Sequence, residues 1–301
     1  MLHFLWKWGG FVKVSHTVFA LPFALASMVV AARADRGWPG WRVFGLILLA
    51  MVSARTCAMT FNRIVDRHYD RRNPRTARRH LPAGEVSLAG AWTLWAVSAV
   101  GLVLAAGLLN PVCLALSPIA LIVICGYSLT KRFTDFTHVY LGVALALAPI
   151  GAWLAVRGGL QWWPPQQSGL LPLVLGAAVV FWLTGFDIIY ALQDWEFDRA
   201  HGLRSLVVRW GPANALKAAF LAHMLMFGLL MAFGLLSRFR VAYLAGMVII
   251  LGSLVLEHWL ARRRTLKWIN TAFFKLNALI SVVFLLVVVI EVVIPPFRVT
   301  R

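Results

Sequence analysis

Acidic residues are scarce in this chain: eleven Asp and Glu stand against 29 Lys and Arg in 301 residues, for a formal net charge of +18. Long polar tracts are also missing, and with them any linker, low-complexity segment or separate soluble domain. Only three cysteines occur, Cys57, Cys113 and Cys125, each in or beside an apolar run and without CxxC spacing. That argues against a disulfide framework and a thiolate zinc site, and in favour of small buried hydrophobes. Neither HxxxH nor HExxH occurs, so a histidine-held metal has no support. No segment alternates polar and apolar residues with period two, which excludes the pattern of a membrane β-barrel.

What the chain does have is apolar sequence. Hydrophobic residues make up 61% and mean hydropathy is +0.79, against roughly 45–50% apolar residues in a soluble domain. They fall in long runs, such as 170–183, 242–256 and 273–294. Runs near ~20 residues match the hydrocarbon thickness of a bilayer, and in lipid the backbone must bond to itself, so such runs are helices. Nine spans are expected, at about 14–32, 43–61, 87–108, 111–129, 139–156, 170–189, 213–235, 241–260 and 273–294. Lys7 and Lys13 before the first run superficially resemble a signal peptide, but the run is long and more spans follow, so it reads as a retained span. The fold class is therefore an all-α integral membrane bundle, a single domain over residues 1–301.

On a soluble protein a charge of +18 would suggest nucleic acid. Here the basic residues lie in loops, and they sort by side. With the N-terminus in the cytoplasm, 20 of the 29 fall on that side, eight on the other, and Arg55 lies within a span. The positive-inside rule then favours this orientation and an odd number of spans. No nucleic-acid partner is expected; the partner is the lipid bilayer.

Six of the eleven acids crowd into two stretches on that cytoplasmic side. The first reads Asn62-Arg-Ile-Val-Asp66-Arg-His-Tyr-Asp70, spaced i, i+4, i+8, so the three polar residues share one helical face. The second runs from Asp187 through Tyr190 to Asp194 and Asp198, again on one face if the segment is a single helix; Glu196 points away and reads as surface. Each cluster sits at the end of an even-numbered span, the second and the sixth. Oxygen-rich sites without thiols suit hard cations, and Mg²⁺ usually takes one or two carboxylates plus substrate phosphates. Asn62, Asp66, Asp70, Asp187, Asp194 and Asp198 are the candidate metal ligands, with a diphosphate between them. The bland alternative, pairing with neighbouring Arg at the membrane surface, suits a lone Asp better than two matched clusters. Asp187 follows an apolar run, where a carboxylate is costly and functional by default. Lys131 and Arg132, with Tyr127 one turn earlier, close the fourth span on the same side and offer cationic partners for a diphosphate. The group Arg75-Thr76-Ala-Arg78-Arg79-His80-Leu-Pro82 follows the first cluster, where each Arg reads equally as a topology determinant.

At these residues the sequence resembles the UbiA family of membrane prenyltransferases. The resemblance rests on Asn62, Asp66 and Asp70; on Arg75, Thr76, Arg79, Leu81, Pro82 and Gly84; on Tyr127, Lys131 and Arg132; and on Asp187, Tyr190, Asp194, Asp198, Gly202 and Ser205. One position departs: many members carry Asp directly after the motif Asn, and this chain has Arg63. The Asn-Arg form, with His16-Thr17-Val-Phe-Ala-Leu-Pro22 in the first span, is similar to the 4-hydroxybenzoate polyprenyltransferase branch and also to proteins proposed to prenylate a naphthoate for menaquinone. The resemblance implies nine helices around a cytoplasm-facing cavity and transfer of a polyprenyl group from its diphosphate to an aromatic acid in quinone biosynthesis. Asp66, Asp70, Asp194, Asp198 and Lys131 would serve catalysis. Asn62, Tyr127, Arg132, Tyr190, Arg55 and His16 would contact substrates. Arg55 is a candidate for the acceptor's carboxylate or else pairs with a motif Asp; His16 is a second acceptor candidate or else a helix-interface hydrogen-bonder. Two other classes stay open at this point, a transporter, whose site would lie nearer the bilayer midplane, and a lipid diphosphate phosphatase, which would need no acceptor.

Overall fold

The computed structural model describes residues 8–12, 17–163, 168–262 and 271–294. Among them the regular structure is helical. In chain order the helices are α1 (Thr17–Ala31), α2 (Trp41–Arg72), α3 (Leu88–Leu109), α4 (Pro111–Gly126), α5 (Thr137–Arg157), α6 (Leu170–Ala191), the short α7 (Trp195–Ala200), α8 (Leu206–Leu236), α9 (Val241–Ala261) and α10 (Asn277–Val293). A 3₁₀ turn, Tyr127–Arg132, prolongs α4. Eight segments among the described residues are long and apolar enough to cross a membrane, and α1, at 15 residues, is a shorter apolar helix. The expected first span began at 14, and residues 13–16, with His16, lie outside the described residues.

Local chemistry sets several helix starts. Ser87 accepts a hydrogen bond from the Gly90 amide to cap α3. Asn110 caps α4 through the Cys113 amide, with Pro111 at the first helical position, where its missing N–H costs nothing. The Asn110 amide also donates to the Leu154 carbonyl at 2.9 Å, tying α4 to the end of α5. Ser205 caps α8 from the Val208 amide, and Gly211, at φ 75° before Pro212, kinks that helix. The expected span from about 213 is therefore the straight part of a longer helix.

α2 is longer than its apolar run. Its 32 residues extend about 48 Å at 1.5 Å per residue, against a hydrocarbon core of ~30 Å. The surplus lies at the C-terminal end, so Asn62, Asp66 and Asp70 ride on a rigid rod as it leaves the apolar layer. At the opposite face of the bundle Trp41, Trp162 and Trp163 are exposed, as interfacial anchors are.

The helices form two groups joined by α5. On one side α1, α6, α8, α9 and α10 pack into a closed core around Phe23, Trp182, Phe233, Tyr243 and Phe284. Lipid offers no hydrophobic drive between helices, so close approach matters. Gly142 on α5 meets the Val180 backbone of α6, where a Cβ would lie 2.6 Å from the carbonyl oxygen. Gly185 on α6 admits the ring of His223 from α8. On the other side α2, α3 and α4 pack more openly, and a cavity of about 560 Å³ lies between them and α5, with the end of α6 at its mouth.

Candidate active site

The cavity has a polar mouth and an apolar shaft. At the mouth the two acidic stretches face one space: Asn62, Asp66 and Asp70 from α2, and Asp187, Tyr190, Asp194 and Asp198 from α6 and α7. The shaft runs past Arg55, Ala54 and Ala50 on α2 to Ile47, and past Ala144, Ala148 and Gly151 on α5 to Ala155. Measured along α2, Asp66 to Ile47 is about 28 Å at 1.5 Å per residue.

The first stretch behaves as its spacing predicts. α2 is continuous, and the Asn62 amide donates to Asp66 Oδ2 at 3.1 Å. Asp66 and Asp70 are 3% and 6% exposed, and charges so buried need partners. Lys131 Nζ is 3.0 Å from Asp66 Oδ2, and Arg132 lies 3.6 Å from its other oxygen. Arg79 reaches both oxygens of Asp70, at 2.7 and 2.9 Å. Arg63 is buried, with its guanidinium 4.0 Å from Asp70, so the residue that removes a possible ligand supplies a positive charge instead.

The second stretch departs from the expectation. Residues 187, 190, 194 and 198 do not share one helix: α6 ends at Ala191, a turn follows, and Asp194 stands at the N-terminus of α7. Asp194 makes no capping bond there. Its carboxylate instead crosses the mouth, accepting from the Asn73 amide at 3.0 Å and from Arg75 Nε at 2.8 Å, with a second Arg75 bond from Nη2. Arg75 also donates to the Tyr190 hydroxyl at 3.0 Å. Burial works against the charged form of Arg75, but Asp194 and Tyr190 overcome it and its pKa is raised. Asp187 Oδ2 is 2.7 Å from His138 Nδ1 on α5. For Asp198, burial first and then the nearby Asp194 push the carboxyl up to about 6, against the pull of Lys131 and Arg75. Glu196 is exposed, in keeping with its reading as surface.

The structure thus brings together Asn62, Asp66, Asp70, Tyr127, Lys131, Asp187, Tyr190, Asp194 and Asp198 around the mouth, and sets Arg55 deeper in the same cavity. Arg132 does not line it; beside Asp66 it donates to the Val65 carbonyl at 2.7 Å. Sequence reasoning passed over Asn73 and His138 and left Arg75 and Arg79 undecided. The signal for the two arginines was their place directly after the first cluster; that for Asn73 was its position at the end of α2. His138 is 49 residues from Asp187, and nothing local marked it.

The chemistry of the donor set fits a hard divalent cation held together with a substrate. Among the described residues no three His, Cys, Asp or Glu side chains form a ready-made metal centre. Magnesium asks for less, because substrate phosphates complete its shell. Asp66 Oδ1 is buried and accepts no hydrogen bond, which leaves a carboxylate oxygen at the mouth for such an ion.

Comparison with known proteins decides the family. The UbiA prenyltransferase family profile matches residues 20–279. The chain belongs to the UbiA prenyltransferase family. Among relatives of this UbiA-family enzyme, a 4-hydroxybenzoate octaprenyltransferase from Alkalilimnicola ehrlichii is 31% identical over 255 residues, covering 84% of this chain and 83% of that protein. Another, from Coxiella burnetii, is 29% identical over 234 residues and 77% of each chain. The apo structure of a UbiA homolog from Aeropyrum pernix K1 superposes with a TM-score of 0.81 at 30% identity, covering 92% of this chain and 98% of that one. A UbiA homolog from Archaeoglobus fulgidus bound to GPP and Mg²⁺ shares the fold, with a TM-score of 0.67 at 22% identity over 94% of this chain and 99% of that one.

Proposed function

We propose that this prenyltransferase moves a polyprenyl group from an allylic diphosphate to an aromatic acid of the 4-hydroxybenzoate type, with Mg²⁺, in quinone biosynthesis, and that the whole chain acts as one domain. The observation that carries the reading is the convergence of carboxylates from α2 and from α6–α7 on one mouth above an apolar shaft. The names of the relatives support the acceptor. The excess of basic residues on the mouth's side supports an active site facing the cytoplasm of a bacterial inner membrane.

Asn62, Asp66 and Asp70 would hold metal on one wall, and Asp187, Asp194 and Asp198 on the other. Magnesium, when bound, neutralises charge on the departing diphosphate. Lys131, Arg75 and Arg79 pair with carboxylates at the mouth and can turn to diphosphate oxygens as the substrate enters. The shaft takes the prenyl tail and excludes water from the allylic carbon. The C–O bond breaks and diphosphate leaves with the electron pair. The Tyr127 and Tyr190 rings face the developing cation. Arg55, inside the cavity, binds the acceptor's carboxylate and aims its ring carbon at the cation. That carbon forms the new C–C bond, and loss of the ring proton restores aromaticity.

The test uses purified protein with geranyl diphosphate, Mg²⁺ and a panel of aromatic acids that includes 4-hydroxybenzoate and a dihydroxynaphthoate, read by mass spectrometry. A prenylated 4-hydroxybenzoate is expected. Release of phosphate with no prenylated acid would sink the proposal in favour of a phosphatase.

A further inference from the structure

The helix that lines the cavity presents a second polar face that the reaction does not use. Between about 100° and 160° around α2 from the Asn62–Asp66–Asp70 row, Arg67, His68 and Arg71 line a separate pocket of about 210 Å³. Its other wall is apolar, formed by Leu81, Pro82 and Leu88 from the loop after α2 and the start of α3. The charge in this pocket is uncompensated: among the described residues neither Arg67 nor Arg71 has a carboxylate partner. Arg67 spends one N–H on the Ile64 carbonyl at 2.9 Å, and a guanidinium has five. His68 and Arg71 are exposed.

The surroundings say what kind of anion fits. The pocket sits at the end of the bundle where α2 leaves the apolar layer. Leu88, on its rim, is 41% exposed, and Trp92, one turn further along α3, is exposed to the same degree. Further along α3 and part-way around it, Val97, Val100 and Leu104 are exposed as well. Cations at headgroup depth above an apolar helix face suit a molecule with a negative head and hydrocarbon chains. Basic pockets at this depth beside membrane helices take acidic lipid headgroups.

We propose that the Arg67–His68–Arg71 pocket binds the phosphate of an anionic phospholipid, whose acyl chains lie along the exposed side of α3. The site is separate from the prenyl diphosphate mouth, which takes its cations from Arg75, Arg79 and Lys131.

The experiment is lipid retention on the purified full chain, read by native mass spectrometry with dioleoyl phosphatidylglycerol against dioleoyl phosphatidylcholine, and with inorganic phosphate as competitor. Phosphatidylglycerol is expected to bind preferentially. R67Q/R71Q is expected to weaken it about thirtyfold, from the contribution usual for a basic residue at an anionic surface. R72Q/R78Q removes two charges from the same end of the molecule but outside the pocket, and is expected to keep the binding. Because Arg67 also holds a backbone carbonyl, R71Q alone gives a variant with no such bond to lose, and about a fivefold loss is expected. Equal loss in the two double variants would overturn the proposal, because charge at that surface and not the pocket would then hold the lipid. Equal retention of phosphatidylcholine would overturn it, as would displacement of the lipid by inorganic phosphate at matching concentration.

Discussion

The two halves of the bundle both bury carboxylates, and they treat them in opposite ways. At the mouth, Asp66 is 3% exposed and faces Lys131 and Arg132. In the closed half, Glu257 on α9 is fully buried and receives the amide of Asn277 at 2.8 Å. Asn277 in turn accepts from the Trp182 indole at 2.6 Å, and His223 and His258 are joined by a 2.9 Å hydrogen bond beside it. The closed half holds Glu257 in side-chain hydrogen bonds that knit α6, α8, α9 and α10 together. The open half uses cations carried on loops and turns, which the metal and diphosphate of the proposed reaction would displace. Burial alone therefore does not mark a functional acid; the nature and mobility of its partner does.

The comparison breaks most sharply at the mouth. Asp66→Ala and Asp194→Ala are each expected to lower prenyl transfer at least ~100-fold, since even partners outside a metal's own ligand shell are worth 10–100-fold, with circular dichroism and melting unchanged. EDTA is expected to have the same effect on the wild type, reversed by added Mg²⁺. Full activity in either mutant, or in EDTA, would remove the metal assignment. A smaller effect of a different kind is expected in the closed half. A Cβ at Gly185 would lie 2.2 Å from His223 Cδ2 and 3.0 Å from the Ala219 carbonyl, so Gly185→Ala should cost about 1–3 kcal/mol of stability, seen in thermal unfolding in detergent. Replacing Glu257 by Leu removes a hydrogen bond between membrane helices and should cost about 0.6–1.7 kcal/mol. Glu257→Gln keeps an oxygen acceptor for Asn277, and its melting curve should overlay the wild type. If Glu257→Gln instead abolished transfer while the fold held, the division between the halves would fail.

Most of the spans were legible because each is a long apolar run. The end of α2 was legible only through its i, i+4 spacing, because residues 62–72 are largely charged and fall outside the apolar run. The residues at the mouth stood out for the same reason: Asp66 and Asp70 repeat with the helix, and Asp187 and Asp194 have a spacing that a helix would also give. The break after Ala191 escaped, because that spacing satisfies a helix on paper while Asn73 and Arg75, from a distant loop, hold Asp194 in a turn. Arg75 and Arg79 stayed ambiguous because on the basic side of a membrane protein an arginine always has a topological explanation. The His138–Asp187 pair is purely tertiary.

The length of α2 has one more consequence. The shaft beside it, from Asp66 to Ile47, is about as deep as a bilayer's hydrocarbon core is thick. A donor of the proposed kind can stay dissolved in oil along its whole tail while its ionic head rests in the mouth, and a small acid can approach from water. Each reactant then remains in the phase that dissolves it, and the enzyme never has to carry either one across the boundary at which they meet.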